Sequence, residues 1–244
     1  IIYPIEYYHN NILSLLNITK VALGYECNLI FSSSCTVYGI PDKFPLDEKM
    51  PLAKSLSPYG NSKKICEELL IDLEQRSEIS ITSLRYFNPV GAHHSCLIGE
   101  RPIGEPVHLL PYITQVAIGK RQKLKIYGND YDTPDGTCIR DYIHVEDVAE
   151  AHIKCIPFMN NNNKGYHAFN IGYGRGISVL EMIKQFEKTT GLELNYCFVE
   201  RREGDVDELW SSIDKAGKYL SWNTKYDIDD MIRTAWQWEK KQNK

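Results

Sequence analysis

The chain has 244 residues, a formal net charge of −4 at pH 7 and 43% hydrophobic residues, enough for one large domain or two small ones. No run of lysine and arginine is longer than two, which argues against nucleic acid or an anionic membrane surface as a partner. No apolar run approaches the roughly 18 residues that span a bilayer, and no secretory signal opens the printed chain, so we expect a cytoplasmic protein without membrane partners.

The seven cysteines are scattered and include no Cys-x-x-Cys motif, which favours free thiols in a reducing compartment. Metal ligands are also poorly arranged along the sequence. His144-Val145-Glu146 is similar to part of a zinc-deaminase signature, but the Pro-Cys-x-x-Cys that completes it is missing. His93-His94 has no partner ligands at metal-binding spacing. We therefore expect no metal site.

The first predicted element is a helix over residues 5–23, with apolar residues at helical spacing and Gly24 at its end. A buried strand over residues 28–31 follows and delivers Ser32-Ser33-Ser34 to its carboxyl end, where open α/β sheets bind ligands. Glycine and prolines then mark a long loop over residues 39–56.

A second helix is predicted over residues 58–76, capped by Ser57. Tyr59 and Lys63 are four residues apart in it and share one face. An ammonium group beside a phenol favours the phenolate, so we expect the pKa of Tyr59 to lie far below its free value of about 10. With Ser34 on the same substrate oxygen, these residues outline a proton-transfer site. The pair alone also fits an ordinary helix surface, since a chain with 16 tyrosines contains such spacings by chance.

The remaining predicted elements follow in chain order. They are a strand over residues 79–87, a loop over 91–107, a helix over 109–117, a strand over 124–127, a strand over 142–145 with a helix from about Asp147, a polar turn over 160–163, a helix that opens on a Ser178/Glu181 capping box and stops at Gly191, and a final amphipathic helix over 228–238.

Six motifs stand in a fixed order along this chain. They are FSSSCTVYG at 31–39, PYGNSK at 58–63, LRYFNPVGAH at 84–93, GNDYDTPDGT at 128–137, RDYIHV at 140–145 and RREGD at 201–205. Together they resemble the UDP-glucose (UDP-galactose) 4-epimerase family of the extended short-chain dehydrogenases/reductases. The resemblance covers nearly the whole chain, and the later motifs separate this family from related sugar-nucleotide enzymes.

The resemblance implies an α/β fold: the C-terminal part of a Rossmann-type doubly wound parallel sheet plus a smaller α/β substrate-binding domain. Residues 1–88 would belong to the NAD-binding Rossmann domain, and residues 89–244 mainly to the nucleotide-sugar domain, with some segments returning to the first. No Gly-x-Gly-x-x-Gly turn follows a strand, and the chain begins at Ile1. We therefore expect a fragment whose glycine-rich turn lies upstream, and which alone would lack tight cofactor binding and activity.

For the cofactor and the chemistry, the resemblance implies a set of five residues. Ser34, Tyr59 and Lys63 would be catalytic, and these three would contact NAD together with Asn10 and Phe87. Without the resemblance, Asn10 would fit a polar helix face and Phe87 an ordinary core.

The substrate residues implied by the resemblance would hold a UDP-hexose: Asn88, Leu109, Tyr127, Arg140, Arg202, Asp205 and Leu209. Tyr127 would stack on uracil, the two arginines would bind the diphosphate and Asp205 a ribose hydroxyl. By composition alone, Arg140 would fit a surface ion pair. Leu209 aligns with the residue whose bulk governs entry of N-acetylated sugars, and leucine is intermediate in size. His108 stands where the family has an asparagine, so its role is open.

The activity implied by the resemblance is reversible NAD-dependent inversion at C4 of UDP-glucose and UDP-galactose through a 4-keto sugar, in galactose metabolism. The alternatives are a sibling reductase, dehydratase or decarboxylase on the same fold, and a non-catalytic binding or dimerisation remnant. The family also implies a homodimer through the helices at 5–23 and 58–76, although burial within one monomer fits the same apolar pattern.

Overall fold

The structure, a computed structural model, describes residues 4–161 and 163–243, which form two compact units. Unit 1 contains the described residues up to Phe87, with Glu150–Ile171 and Ser211–Asn223. Unit 2 contains Asn88–Ala149, Gly172–Trp210 and the described residues from Thr224 onward. Each unit has its own parallel strand pairs and its own hydrophobic core.

Helices and strands alternate along most of the chain. The helices are α1 (Pro4–Tyr8), a π-helix (His9–Leu13), α2 (Ser14–Gly24), a 3₁₀ helix (Cys35–Tyr38), α3 (Pro58–Glu74), α4 (Leu109–Ala117), α5 (Val145–Asn160), α6 (Val179–Thr190), α7 (Asp214–Leu220) and α8 (Ile228–Gln242). The strands are β1 (Leu29–Ser34), β2 (Ser80–Tyr86), β3 (Asn88–Val90), β4 (Leu124–Tyr127), β5 (Ile139–Arg140), β6 (Tyr142–His144), β7 (Gly165–Ile171), β8 (Ile177–Ser178), β9 (Tyr196–Val199) and β10 (Glu208–Leu209). Within the described ranges, no helix combines the length and apolarity needed to cross a bilayer.

The sheet of unit 1 is parallel, with the strand order β1-β2-β7. Its register sets Ser34 beside Tyr86 and Tyr86 beside Ile171, so three strands end at one edge. The predicted strand over residues 28–31 is too short, because the three serines continue the β1 ladder rather than follow it. The predicted α/β class with a parallel sheet is confirmed.

The N-terminal helix is interrupted, although the sequence predicted one continuous helix over residues 5–23. A π-helical segment separates α1 from α2, and within it the Asn11 side chain donates to Ser62 Oγ of α3 (2.7 Å). Of the predicted apolar stripe, Leu15 and Ala22 enter the unit 1 core, whereas Ile5 is 79% exposed. Burial within the monomer therefore covers only part of this stripe.

Helix α3 begins as predicted, because Ser57 Oγ accepts the Gly60 N–H (3.1 Å) and Pro58 occupies the first turn. The face it buries carries Ser62, Cys66 and Leu70, together with the charged Glu67. Leucine and cysteine from this face pack against Leu15 of α2 and Ile81 of β2.

Unit 2 contains three small sheets: the parallel pairs β3-β6 and β4-β9, and the three strands β10-β5-β8. Its core joins α4, α6 and α8 to these strands through fully buried side chains such as Ile113, Phe186 and Met231. The predicted bounds of α4 and β4 match the structure at every residue.

Other boundaries differ slightly from the predictions. Helix α5 begins at Val145, and α8 extends to Gln242 from a capping box at Asp227. Ser178 Oγ caps α6 by accepting the Glu181 N–H (2.9 Å), but the Glu181 carboxylate accepts from Arg175 instead of completing the box. The predicted turn over 160–163 follows the end of α5, and its residue Asn162 lies outside the described residues.

Candidate active site

Ser34 and Tyr59 meet in unit 1 at the carboxyl end of β1. Ser34 is buried and caps the 3₁₀ helix, where its Oγ accepts from the Thr36 N–H (3.3 Å) and from Thr36 Oγ1 (3.0 Å). Tyr59, in the first turn of α3, is hydrogen-bonded to the Ser34 side chain. The end of one strand and the start of one helix thus bring two hydroxyl groups together.

The predicted fall in the pKa of Tyr59 is wrong. Burial raises the pKa of the Tyr59 hydroxyl above 10, and the hydrogen bond from Ser34 opposes this only in part. Burial also lowers the pKa of Lys63, because an ammonium group is costly to desolvate.

Lys63 lies on the same face of α3 as Tyr59, as the spacing predicted. Its Nζ lies 5.8 Å from the centroid of the Tyr59 ring and 5.0 Å from that of Phe31. The ammonium group donates to the carbonyl oxygen of Ser32 (2.8 Å), which ties this side chain to β1. Lys63 is therefore held at the edge of the sheet where β1 ends.

A buried polar network that the sequence predictions missed anchors the same helix. Glu67 of α3 accepts from Arg85 Nη2 of β2 (2.6 Å), from the Tyr166 hydroxyl of β7 (2.8 Å) and from Ser33 Oγ of β1. Arg85 Nη1 in turn donates to the Tyr38 hydroxyl (2.9 Å). Two features of the sequence could have indicated this network: Glu67 is a charged residue on a buried helix face, and Arg85 is a charged residue within a buried strand.

Asn10 and Phe87 occupy different environments in unit 1. Asn10 is exposed on the π-helix, next to the Asn11 side chain that contacts α3. Phe87 is buried directly after β2, and its N–H donates to the carbonyl oxygen of Ile171 (3.1 Å). Their predicted contacts with a cofactor remain predictions.

In unit 2, four of the predicted substrate residues form two pairs. Arg140 Nη2 donates to Asp205 Oδ1 (3.0 Å), and both side chains are largely buried. The Arg202 guanidinium lies 4.6 Å from the centroid of the Tyr127 ring. Two positive groups, one carboxylate and one aromatic ring are thus in place within this unit.

Leu209 is brought beside this set by strand pairing, since β10 and β5 place it in register with Arg140. Asn88 begins β3, and its N–H donates to the carbonyl oxygen of Asp141 (2.9 Å).

Leu109 is the first residue of α4 and packs against the unit 2 core. His108 forms an ion pair with Glu100, in which Nδ1 lies 2.6 Å from Oε1.

Asp141 is a second feature that the predicted site left out. It is fully buried, and its carboxylate accepts from the N–H groups of Tyr173 (2.5 Å) and Gly174 (3.2 Å). This contact fixes the turn beyond β7 against the strand that follows Arg140.

The prediction that His93-His94 has no partner ligand is also wrong. The structure brings Glu146 to His94, with Nδ1 3.2 Å from Oε1. These residues are 52 positions apart, so no local spacing could have indicated the contact.

Comparison with known proteins assigns the family. Residues 1–172 match the model of the NAD dependent epimerase/dehydratase family. A UDP-glucose 4-epimerase of Yersinia enterocolitica is 51% identical over 239 residues, which is 97% of this chain and 70% of that protein. The UDP-glucose 4-epimerase of Drosophila melanogaster is 45% identical over 239 residues, 97% of this chain and 68% of that protein.

Solved structures agree with these matches. The UDP-glucose 4-epimerase of Stenotrophomonas maltophila, with bound NAD and formylated UDP-arabinopyranose, superimposes with a TM-score of 0.94 at 41% identity, over 98% of this chain and 71% of that one. The enzyme of Bifidobacterium longum in complex with NAD⁺ and UDP gives a TM-score of 0.93 at 44% identity, over 98% and 72%. The chain therefore belongs to the NAD dependent epimerase/dehydratase family and, within it, to the UDP-glucose 4-epimerase family.

Proposed function

We propose that the protein containing this chain carries out reversible inversion at C4 of a UDP-hexose, interconverting UDP-glucose and UDP-galactose through a 4-keto sugar. The observation that carries the proposal is the Ser34–Tyr59 hydrogen bond at the carboxyl end of β1, with Lys63 one helical turn beyond Tyr59. Relatives at 45–51% identity are UDP-glucose 4-epimerases, which supports this substrate class.

Tyr59 is the proposed base, which takes the proton from the C4 hydroxyl as the 4-keto sugar forms and returns it when the sugar is reduced. Ser34 would hold the same hydroxyl, since its Oγ already lies in hydrogen-bonding range of Tyr59. Lys63, whose Nζ lies 5.8 Å from the centroid of the Tyr59 ring, would hold the nicotinamide ribose.

The donor set at this edge of the unit 1 sheet fits NAD. An ammonium group has three N–H donors, so the bond from Lys63 to Ser32 leaves capacity for a ribose hydroxyl. Asn10, Ser34, Tyr59, Lys63 and Phe87 would hold the cofactor, in the domain predicted over residues 1–88. When bound, NAD supplies the hydride acceptor and donor that C4 chemistry requires.

The nucleotide half of the substrate is assigned to unit 2, in the domain predicted over residues 89–244. Arg140 and Arg202 would bind the diphosphate, and Asp205 a ribose hydroxyl. Arg202 lies over the Tyr127 ring, so uracil would stack on the opposite face. Asn88 and Leu109 complete this set, and Leu209, 9% exposed beside Arg140, would limit the space for an acetamido group.

The substitution Tyr59→Phe tests the assignment of the base. We expect conversion of UDP-galactose to UDP-glucose to fall by about 10²–10⁴-fold, because the ring is kept and only the proton acceptor is lost. UDP binding should be unchanged. An epimerase yields the C4 isomer without net change in NADH absorbance, which separates it from a reductase or dehydratase.

The matched control is Tyr7→Phe. The Tyr7 ring packs edge-on against Tyr59, with centroids 6.0 Å apart, so this variant removes a neighbouring phenolic hydroxyl without touching Ser34. It should retain activity. Near-normal turnover in Tyr59→Phe would show that another group takes the proton.

The oligomeric state, the cellular location and the metabolic role of the protein are also proposals. Several apolar side chains of the N-terminal helices are exposed, which supports a homodimer through the segments 5–23 and 58–76. None of the seven cysteines forms a disulfide bond in the part of the chain that the structure describes, which supports a reducing cytoplasm and, with the substrate class, a place in galactose metabolism.

The glycine-rich turn expected upstream of Ile1 stays a prediction. The chain spans about 70% of the length of the Yersinia enterocolitica relative. The intact mass of the protein as its own cells produce it tests this prediction: a mass well above 28.1 kDa, with residues before Ile1, would support it.

A further inference from the structure

The loop after β3 and the start of α5 lie at one edge of a parallel strand pair. Val90, the last residue of β3, is in register with His144, the last residue of β6. His93 and His94 follow Val90 within four residues, and Glu146 follows His144 by two, so the pairing brings all three side chains to the same edge.

The turn that starts this loop is fixed by close packing. Gly91 has φ +84°, and a Cβ atom there would lie 2.7 Å from the His144 ring. Within the loop, the His93 N–H donates to the carbonyl oxygen of Ile98 (3.0 Å), and His93 Nδ1 lies 2.7 Å from Ser95 Oγ. The loop is thus held in place by its own hydrogen bonds.

Glu146 is oriented toward the histidines from two sides. Its Oε1 accepts the backbone N–H of His94 (2.7 Å), and its Oε2 accepts from the Tyr226 hydroxyl (2.7 Å). These two hydrogen bonds hold the carboxylate beside the backbone of His94.

We propose that His93, His94 and Glu146 bind a divalent transition-metal ion such as Zn²⁺, independently of the epimerase site. One ligand atom from each residue lies within 4.8 Å of the other two. Two imidazoles and one carboxylate form a ligand set that zinc uses in proteins, with a further position open to water. The neighbouring His144 is not part of the set, since its Nδ1 accepts from the Glu146 N–H (3.1 Å) and its Nε2 contacts Thr234 (3.0 Å).

The geometry needs only a small adjustment to hold an ion. Zinc–ligand bonds of about 2.0–2.2 Å place tetrahedral ligand atoms about 3.4 Å apart. Because the His94 side chain is 67% exposed, a rotation about its χ angles can bring its ring nitrogen closer to the other two ligand atoms. The His93 and His94 rings already lie together, with centroids 4.1 Å apart. A bound ion would tie the loop after β3 to the first turn of α5.

The experiment measures Zn²⁺ binding by equilibrium dialysis and Co²⁺ binding by visible absorption, on the whole chain without a polyhistidine tag. We expect one bound equivalent, and an affinity reduced about tenfold or more in both His94→Ala and Glu146→Gln. The control is His108→Ala, which removes a histidine from a single exposed His–Glu pair (2.6 Å) that lacks a second imidazole.

Three results would overturn the proposal. They are the absence of a bound equivalent, an equal loss of affinity in His108→Ala, and thiolate-to-cobalt charge-transfer bands, which would assign the ion to a cysteine. Because His94 is exposed, its substitution is not expected to unfold the chain, and unchanged circular dichroism would establish this.

Discussion

Among single residues, Glu67 is notable because it places a charged group in the interior of unit 1. Its carboxylate is fully buried and is bonded to Arg85, Tyr166 and Ser33, so three strands share one negative charge. Glu67 lies one turn beyond Lys63 on α3, and Ser33 precedes Ser34 on β1. The network therefore holds the helix and the strand that carry the proposed catalytic groups.

Substituting Arg85→Met should lower the free energy of unfolding by about 3–5 kcal/mol, because it leaves the Glu67 carboxylate buried and unpaired. Chemical denaturation of the purified chain measures this loss. The comparison is Arg175→Met, which breaks an Arg–Glu pair of the same length (2.6 Å) whose side chains are 61% and 42% exposed. The exposed pair should contribute about 1 kcal/mol or less to the free energy of unfolding. Equal losses in the two variants would mean that the buried Glu67 carboxylate carries no extra cost when Arg85 is removed.

At the scale of the elements, the N-terminal helices differ from the others because they leave much apolar surface uncovered. Ile18 and Val21 of α2 are 53% and 55% exposed, although Leu15 and Ala22 of the same helix enter the core. A helix whose apolar residues extend beyond the face buried in its own chain is typical of one that is covered by a partner. Within the π-helical segment, the Asn11 side chain donates to Ser62 of α3, which anchors this part of the helix.

The substitution Ile18→Glu should therefore dissociate the proposed dimer, because it places a charge in an apolar contact. Sedimentation velocity at several protein concentrations would show a shift from dimer to monomer. Ile153→Glu is the matched control, since Ile153 is 59% exposed on α5, outside the proposed interface. If both variants remain dimeric, the contact lies elsewhere, and if the unsubstituted chain is already a monomer, the homodimer proposal fails.

For the molecule as a whole, the sequence pattern predicted those features that depend on residues close together in the chain. The bounds of α4 and β4 and the Ser57 cap follow from residues within one or two turns, and the structure reproduces them. The Glu67–Arg85 bond spans 18 positions and the contact between His94 and Glu146 spans 52. Such contacts depend on strand register, which no single segment encodes. The pairing of Arg140 with Asp205 and of Tyr127 with Arg202 also depends on the fold, although the family resemblance had implied a substrate role for each of these residues.

The proposed assignment of UDP to unit 2 predicts a ligand effect on the stability of the chain. A ligand at about 100 times its Kd stabilises the native state by about 2.7 kcal/mol, which in a chain of this size corresponds to a rise in Tm of about 5–10 °C. Differential scanning fluorimetry with increasing UDP measures this rise, and Arg202→Ala should shift the response to severalfold higher UDP concentrations, because a diphosphate contact is lost. The control is the adjacent Arg201→Ala, since the Arg201 guanidinium is engaged with Asp130 (2.8 Å) and lies over the Tyr131 ring (4.1 Å). Both variants lose one positive charge, so an equal shift would indicate general electrostatics, and an unchanged response in Arg202→Ala would remove this residue from the diphosphate site.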